Sequence, residues 1–129
     1  MNNFTCQNIQ YLPAHQCELD EDGNIVPKQG YEFNEISSRE KTEFTQNVKT
    51  EDGNNIYHQS VILVNIITDI NLLSDLNNSH LILKIQNLSG EYFTWGSLKP
   101  YNPVQVSITT INKTVKLTFF RNSPQPEYT

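Results

Sequence analysis

Short stretches in which apolar and polar residues alternate dominate the sequence. Alternation with a period of two residues covers 104–109 and 115–120, and apolar β-rich segments cover 81–86 and 92–96. A looser alternation covers 4–12. This period places apolar side chains on one face of a strand and polar ones on the other. The pattern predicts a mainly β protein whose antiparallel sheet forms a β-sandwich or a partly open barrel with one solvated face.

The strongest turn sequence lies at residues 51–54, where Asp52 and Gly53 are adjacent. Asp-Gly readily adopts the positive φ angles that a two-residue hairpin turn requires. The sequence therefore predicts a long hairpin that pairs residues 42–50 with residues 56–67.

One short α-helix is predicted, at about residues 69–77. Three apolar residues recur there at helical spacing, namely Ile70, Leu73 and Leu76. Thr68 can cap the N-terminus of this helix. Residues 36–43 fit either an extended chain or a second short helix.

The length of 129 residues is that of one domain. Residues 1–121 are predicted to form this domain, and residues 13–30 within it are predicted to form an acidic loop. The last residues, 122–129, contain Pro124 and Pro126 and no apolar periodicity. They are predicted to form an extended C-terminal arm, which begins at its junction with the domain at Arg121.

Charge is unevenly distributed along the chain, whose formal net charge is −5. Residues 1–80 contain twelve acidic and four basic side chains, whereas residues 81–121 contain one acidic and five basic ones. Sequence-specific nucleic-acid binding is not expected, because phosphate contacts require clustered Lys and Arg. The two halves could steer copies of the chain into head-to-tail contact, or they could simply be the two solvated ends of a monomer.

Targeting features are weak. The longest apolar run, residues 61–67, is far shorter than the roughly 20 residues of a membrane-spanning helix, so no membrane insertion is expected. The first residues have neither the basic start nor the apolar stretch of a secretory signal. Cys6 and Cys17 are expected to be free thiols in a reducing cytoplasm.

Two segments have partial resemblance to metal sites. Residues 20–24 place carboxylates at alternate positions, but glycine occupies the fourth place rather than the sixth, and Tyr31 stands where a calcium loop needs Glu. A plain acidic turn is the favoured interpretation. Cys6, His15 and Cys17 supply fewer than the four ligands that zinc normally takes. No metal or other cofactor is expected.

Catalytic motifs are also weak. Ser60, His58 and Asp69 occur in the chain, but no Gly-flanked nucleophile elbow surrounds the serine. The five glycines are scattered singly, unlike a phosphate-binding loop. The sequence therefore predicts that the protein is not an enzyme.

Aromatic residues are densest between positions 92 and 101. The group consists of Tyr92, Phe93, Trp95 and Tyr101. Exposed rings could stack on sugars or anchor a partner protein. Packing in the core is the favoured interpretation for a domain of this size.

The C-terminal half contains a series of short segments: the strand 81–85, the aromatic strand Tyr92-Phe93-Thr94-Trp95-Gly96-Ser97, Pro100, the strand 104–106, the strand 116–120, and the tail with Pro124 and Pro126. In these segments, residues 56–129 resemble small β-rich virion proteins from the tail or neck region of phages and prophages of Bacteroides-like bacteria.

This resemblance implies a non-catalytic structural subunit that is present in the host cytoplasm during assembly and then in the virion. Its expected partners are copies of itself and other virion proteins, and its acidic balance suits passive contact with a DNA conduit. Loose ends and exposed edges can order on neighbouring copies. The residues predicted to carry the assembly contacts lie in the hairpin turn and the arm: Asp52, Gly53, Asn54, Arg121, Pro124, Pro126 and Tyr128.

Two alternatives remain open. The chain could be a binding module for a host-surface glycan or protein that uses Tyr92, Trp95 and Tyr101. A small acidic inhibitor of a host enzyme is a further alternative, since it needs only an acidic surface.

Overall fold

The computed structural model describes residues 3–36, 42–64, 76, 79–111 and 114–124. The chain is mainly β, as the alternation of apolar and polar residues predicts. The described strands are β1 (Phe4–Pro13), β2 (Cys17–Leu19), β3 (Ile25–Pro27), β4 (Asn34–Ile36), β5 (Thr42–Glu51), β6 (Asn54–Val64), β7 (His80–Asn87), β8 (Tyr92–Trp95), β9 (Ser97–Leu98), β10 (Tyr101–Asn102), β11 (Val104–Ile111) and β12 (Thr114–Ser123). A 3-10 turn over Ala14–Gln16 joins β1 to β2.

Six antiparallel strands form a closed barrel in the order β1-β5-β6-β12-β11-β7. The pairing of β1 with β7, from Cys6 opposite Asn87 to Pro13 opposite Leu81, closes it. The predicted sandwich or partly open barrel is therefore a closed barrel. Strand β4 lies beside the C-terminal half of β1, and β8 lies beside β7.

The predicted hairpin is confirmed. Strands β5 and β6 pair from Phe44 opposite Val61 to Glu51 opposite Asn54. The two turn residues, Asp52 and Gly53, have φ angles of 50° and 79°. Positive φ at both positions is the geometry of a type I′ turn, whose twist matches that of the flanking strands.

The barrel interior is filled by the apolar residues that alternate along the strands. The largest fully buried side chains inside it are Trp95, Phe44, Phe119, Leu63, Leu81, Leu83, Ile85 and Leu117. Phe44 is central to the aromatic part of this core: its ring centroid lies 5.0 Å from that of Phe4 and 5.3 Å from that of Trp95.

The prediction of a loop over residues 13–30 needs correction. This segment contains the 3-10 turn and a two-stranded ribbon in which Cys17 pairs with Pro27. The ribbon belongs to a second apolar cluster, in which Leu12 of β1 and Ile82 of β7 are buried with Cys17. The segment is ordered because it covers these two side chains on the outer face of the barrel wall.

The C-terminal boundary also needs correction. Strand β12 continues to Ser123, which lies opposite Tyr57 of β6. Arg121, predicted to carry assembly contacts at the start of the arm, is only 6% exposed. Its side chain faces inward because it continues the period of two set by Leu117 and Phe119.

Several predictions fall partly outside the described residues. Of the helix predicted over 69–77, only Leu76 is described; it is helical and buried. The alternative helix over 36–43 is wrong at its ends, since Ile36 belongs to β4 and Thr42 to β5. Within the described part of the chain, no helix is long and apolar enough to cross a membrane.

Candidate functional site

The β5–β6 hairpin extends beyond the closed part of the barrel. In the described part of the chain, strand β1 pairs with β5 only from Phe4 opposite Phe44 to Cys6 opposite Thr42, and β12 pairs with β6 only as far as Tyr57. Residues 47–55 are exposed. Among the described strands, none pairs with the outer edge of β5 beyond this point.

The orientation of the β5 backbone follows from Gln46. Its N–H points away from β6, because it donates a hydrogen bond to Asn3 Oδ1 at 3.4 Å. Main-chain groups alternate between the two edges of an antiparallel strand. The N–H and C=O groups of Val48 and Thr50 therefore also point to the outer edge, where they can pair with an added strand.

The projecting hairpin combines an exposed apolar side chain with a tight two-residue turn. Val48 is 55% exposed and lies opposite Tyr57 on the same face. Thr50 Oγ1 donates to Asn55 Oδ1 at 3.0 Å, and Lys49 Nζ lies 3.6 Å from Glu51 Oε1. The predicted contact residues Asp52, Gly53 and Asn54 form the tip of this exposed ribbon. This exposed ribbon is suited to pairing with an added strand rather than to catalysis.

The predicted arm residues have different environments. Arg121 is buried in the barrel, whereas Pro124 is exposed at the end of β12. Pro126 and Tyr128 lie outside the described residues. Arg121 is therefore unsuited to contact another chain in this structure, because its side chain is enclosed by its own barrel.

Arg121 belongs to a buried polar network instead. Its Nε donates to the main-chain oxygen of Asn102 at 2.8 Å, and its Nη1 and Nη2 atoms lie 3.3 Å from Gln59 Oε1 and Ser97 Oγ. Trp95 Nε1 donates to the same Gln59 oxygen at 2.8 Å. Hydrogen bonding satisfies polar groups that would otherwise be costly to bury.

The four predicted aromatic residues do not form one surface. Trp95 is fully buried, and Phe93 packs against the core beside it. Tyr92 and Tyr101 are exposed, at opposite ends of the 92–101 segment. The alternative that used Trp95 to bind a glycan is wrong on this point, because its ring faces the barrel interior and its Nε1 hydrogen is donated to Gln59.

Both cysteines are buried free thiols. Burial raises the pKa of Cys6 to about 12. A hydrogen bond with the Phe44 backbone lowers this pKa, and the negative charge of Glu43 raises it. Burial likewise raises the pKa of Cys17 to about 11, although the charge of Lys28 opposes it. Neither thiol is activated for nucleophilic chemistry, which needs the thiolate.

The acidic turn has a structural role. Asp20 Oδ1 accepts hydrogen bonds from the backbone N–H groups of Asp22 and Asn24, each at 2.9 Å. This carboxylate therefore shapes the turn between β2 and β3. Among the described residues, no three His, Cys, Asp or Glu side chains are grouped so that they could hold a metal ion.

The sequence interpretation missed the buried polar network. Three polar residues, Gln46, Gln59 and Arg121, occupy inward positions of their strands. Their spacing from neighbouring core residues could have identified them, since Gln46 follows Phe44 by two positions and Gln59 precedes Val61 by two. A polar side chain at an inward position interrupts the apolar alternation, so the sequence alone indicates that the buried face of the strand ends there.

Comparison with known proteins adds no relative. The chain has no significant match among protein-family models, curated proteins or solved structures.

Proposed function

We propose that the chain is a non-catalytic structural subunit of a phage virion, in its tail or neck region, and that copies associate through the outer edge of β5. The virion assignment is supported by the resemblance of residues 56–129 described above. The contact mode is supported by one structural observation: the hairpin leaves the outward main-chain groups of Val48 and Thr50 without a described strand beside them.

An exposed strand edge can hydrogen-bond an added strand. Main-chain hydrogen bonds then supply much of the affinity, and alternate side chains supply selectivity. Here the selective side chains are Val48 and its neighbour Tyr57, which present an apolar strip next to the edge. Natural proteins usually protect such edges, so an unpaired edge next to an exposed apolar side chain supports an association site.

The charge distribution also supports contact between copies. Strands β1, β5 and β6 are neighbours on one side of the barrel, and β12, β11 and β7 are neighbours on the other. Within residues 3–64, the described part has nine acidic side chains against Lys28 and Lys49. From His80 onward, the described part has Glu91 against Lys84, Lys99, Lys116 and the buried Arg121. Six of the acidic side chains lie between Glu18 and Glu35, on β2, β4 and the loops beside them, so the negative charge is concentrated on segments outside the barrel strands. Opposite charge on different parts of one chain favours head-to-tail contact between copies.

The virion assignment is tested by mass spectrometry of particles purified on a density gradient from a host that encodes the chain. We expect its peptides to co-sediment with the particles at an abundance similar to that of other structural proteins. Peptides found only in the fraction that does not sediment would contradict the assignment. An abundant host cytoplasmic protein, followed in the same fractions, controls for contamination.

A further inference from the structure

A cleft of about 600 Å³ opens at the end of the barrel where β1 ends and β7 begins. Its size lies within the roughly 300–1,000 Å³ range of small-molecule sites. The side chains that matter for recognition are Tyr11, His15, Gln16, Asn34, His80 and Tyr101. They come from β1, the 3-10 turn, β4, β7 and β10, so the folded chain brings together residues that are distant in sequence.

The lining of the cleft is rich in polar side chains. Gln16 and Asn34 each offer a carboxamide with donors and an acceptor, and His15 and His80 offer imidazole nitrogens. Among the described residues that line the cleft, none is Asp, Glu, Lys or Arg. Recognition of a phosphate or carboxylate typically uses Arg or Lys. The lining therefore favours a neutral ligand with many hydroxyl groups.

Tyr101 gives the cleft an aromatic platform. Its side chain is 61% exposed, and its ring centroid lies 6.4 Å from that of His80 at an interplanar angle of 61°. This edge contact leaves ring surface open to solvent. An aromatic face can pack against the apolar C–H surface of a sugar ring while its phenol hydroxyl forms a hydrogen bond.

The backbone on both sides of Tyr101 is held in place. The oxygen of Pro100 accepts a hydrogen bond from the Ser97 hydroxyl at 2.7 Å, and the oxygen of Asn102 accepts one from Arg121 Nε at 2.8 Å. Asn102 Nδ2 also donates to the backbone oxygen of Asn122 at 2.9 Å. A platform fixed before binding loses less conformational entropy when the ligand arrives.

We infer that this cleft binds a neutral carbohydrate, with Tyr101 stacking on a sugar ring and Asn34, Gln16, His15 and His80 hydrogen-bonding its hydroxyl groups. The inference is independent of the proposed assembly role, because the cleft and the β5 edge use different residues. It also differs from the sequence-based alternative, since Trp95 takes no part in it.

The test is binding of the full chain to an array of immobilised neutral and acidic glycans, followed by saturation-transfer NMR with the soluble form of each neutral glycan bound. Tyr101→Ala is the test variant, and Tyr92→Ala is its matched control because Tyr92 is also an exposed tyrosine, on β8. We expect neutral glycans to bind, and their affinity to fall at least roughly tenfold in Tyr101→Ala and to stay unchanged in Tyr92→Ala.

Three outcomes would overturn the inference. They are the absence of any bound neutral glycan, binding restricted to acidic glycans, and equal affinity in Tyr101→Ala and the unmodified chain. Circular dichroism of both variants verifies that they remain folded. If Tyr101→Ala is unfolded, Asn34→Ala, at an exposed position of β4, replaces it, and unchanged affinity in that variant would equally contradict the inference.

Discussion

Arg121 on β12 donates a hydrogen bond from Nε to the main-chain oxygen of Asn102 on β10, at 2.8 Å. The bond connects the barrel interior to the short β9–β10 hairpin, and the contact of Nη2 with Ser97 Oγ at 3.3 Å reinforces it. A residue that the sequence placed in a C-terminal arm therefore fixes the segment that carries Tyr101. Ordering of this surface segment depends on a buried side chain.

Replacing Arg121 should loosen this segment. Arg121→Met retains much of the apolar stem but removes the guanidinium donors, so we expect a loss of about 1–3 kcal/mol in the free energy of unfolding. Hydrogen exchange of the amides in residues 97–102 should become faster than in the unmodified chain. Lys28→Met, which removes an exposed cation, is the control. Unchanged exchange in Arg121→Met would show that the guanidinium does not hold the hairpin.

Gln59 should matter more for stability than Gln46, although both are buried. The Gln59 carboxamide accepts from Trp95 and Arg121 and donates to Gln46 Oε1 at 2.8 Å. Gln59→Leu leaves all three groups without this partner, so we expect a loss of about 3–5 kcal/mol, against about 1–2 kcal/mol for Gln46→Leu. Urea unfolding followed by tryptophan fluorescence measures both. Equal losses would mean that the network is not centred on Gln59.

Two glycines with positive φ should respond differently to alanine. At Gly53, φ is +79° and an added Cβ would meet no atom within 4 Å, so Gly53→Ala costs only backbone strain, about 1–2 kcal/mol. At Gly96, φ is +110° and the Cβ would lie 2.9 Å from Ile82 Cδ1. Because Ile82 is fully buried, we expect Gly96→Ala to cost about 2–4 kcal/mol. The free energies of urea unfolding test the order, and a larger cost at Gly53 would contradict it.

Stability should fall at alkaline pH partly because of the cysteines. The folded chain keeps both thiol protons to a pKa of about 12 at Cys6 and about 11 at Cys17, whereas thiols in the unfolded chain have an ordinary pKa of 9.0. Above that value the unfolded state binds fewer protons, so the free energy of unfolding decreases as pH rises. The variant with Cys6→Ala and Cys17→Ala should have a shallower decrease between about pH 9 and about pH 11. Equal slopes would show that these thiols ionise alike in both states.

The sequence predicts well those features that depend on residues close together along the chain. The Asp52-Gly53 turn, the pairing around it and the strands in the C-terminal half all follow from positive φ preference and a period of two. Closure of the barrel is different, because the pairing of β1 with β7 joins segments about 75 positions apart. A single sequence does not show that β7 is the pairing partner of β1.

The candidate sites were harder to predict than the strands. Arginine is usually a surface residue. Only the position of Arg121, two residues after Phe119, indicates that its side chain faces inward. The sequence places Tyr101 in one aromatic group with Trp95 because the two are close along the chain, although one ring is exposed and the other is buried. The cleft beside Tyr101 depends on His15, Asn34 and His80 meeting in space, which no local pattern specifies.

Sedimentation velocity over a range of concentrations tests most directly whether copies associate through the β5 edge. Val48→Pro removes the outward N–H without removing a bond to β6, and a proline is tolerated at such an edge position. Val48→Ile retains that N–H and an apolar β-branched side chain, and it is the matched control. We predict that the unmodified chain and Val48→Ile form larger species as concentration rises, while Val48→Pro remains a 14.9 kDa monomer. A monomeric unmodified chain at every concentration, or association of Val48→Pro equal to that of Val48→Ile, would contradict the account.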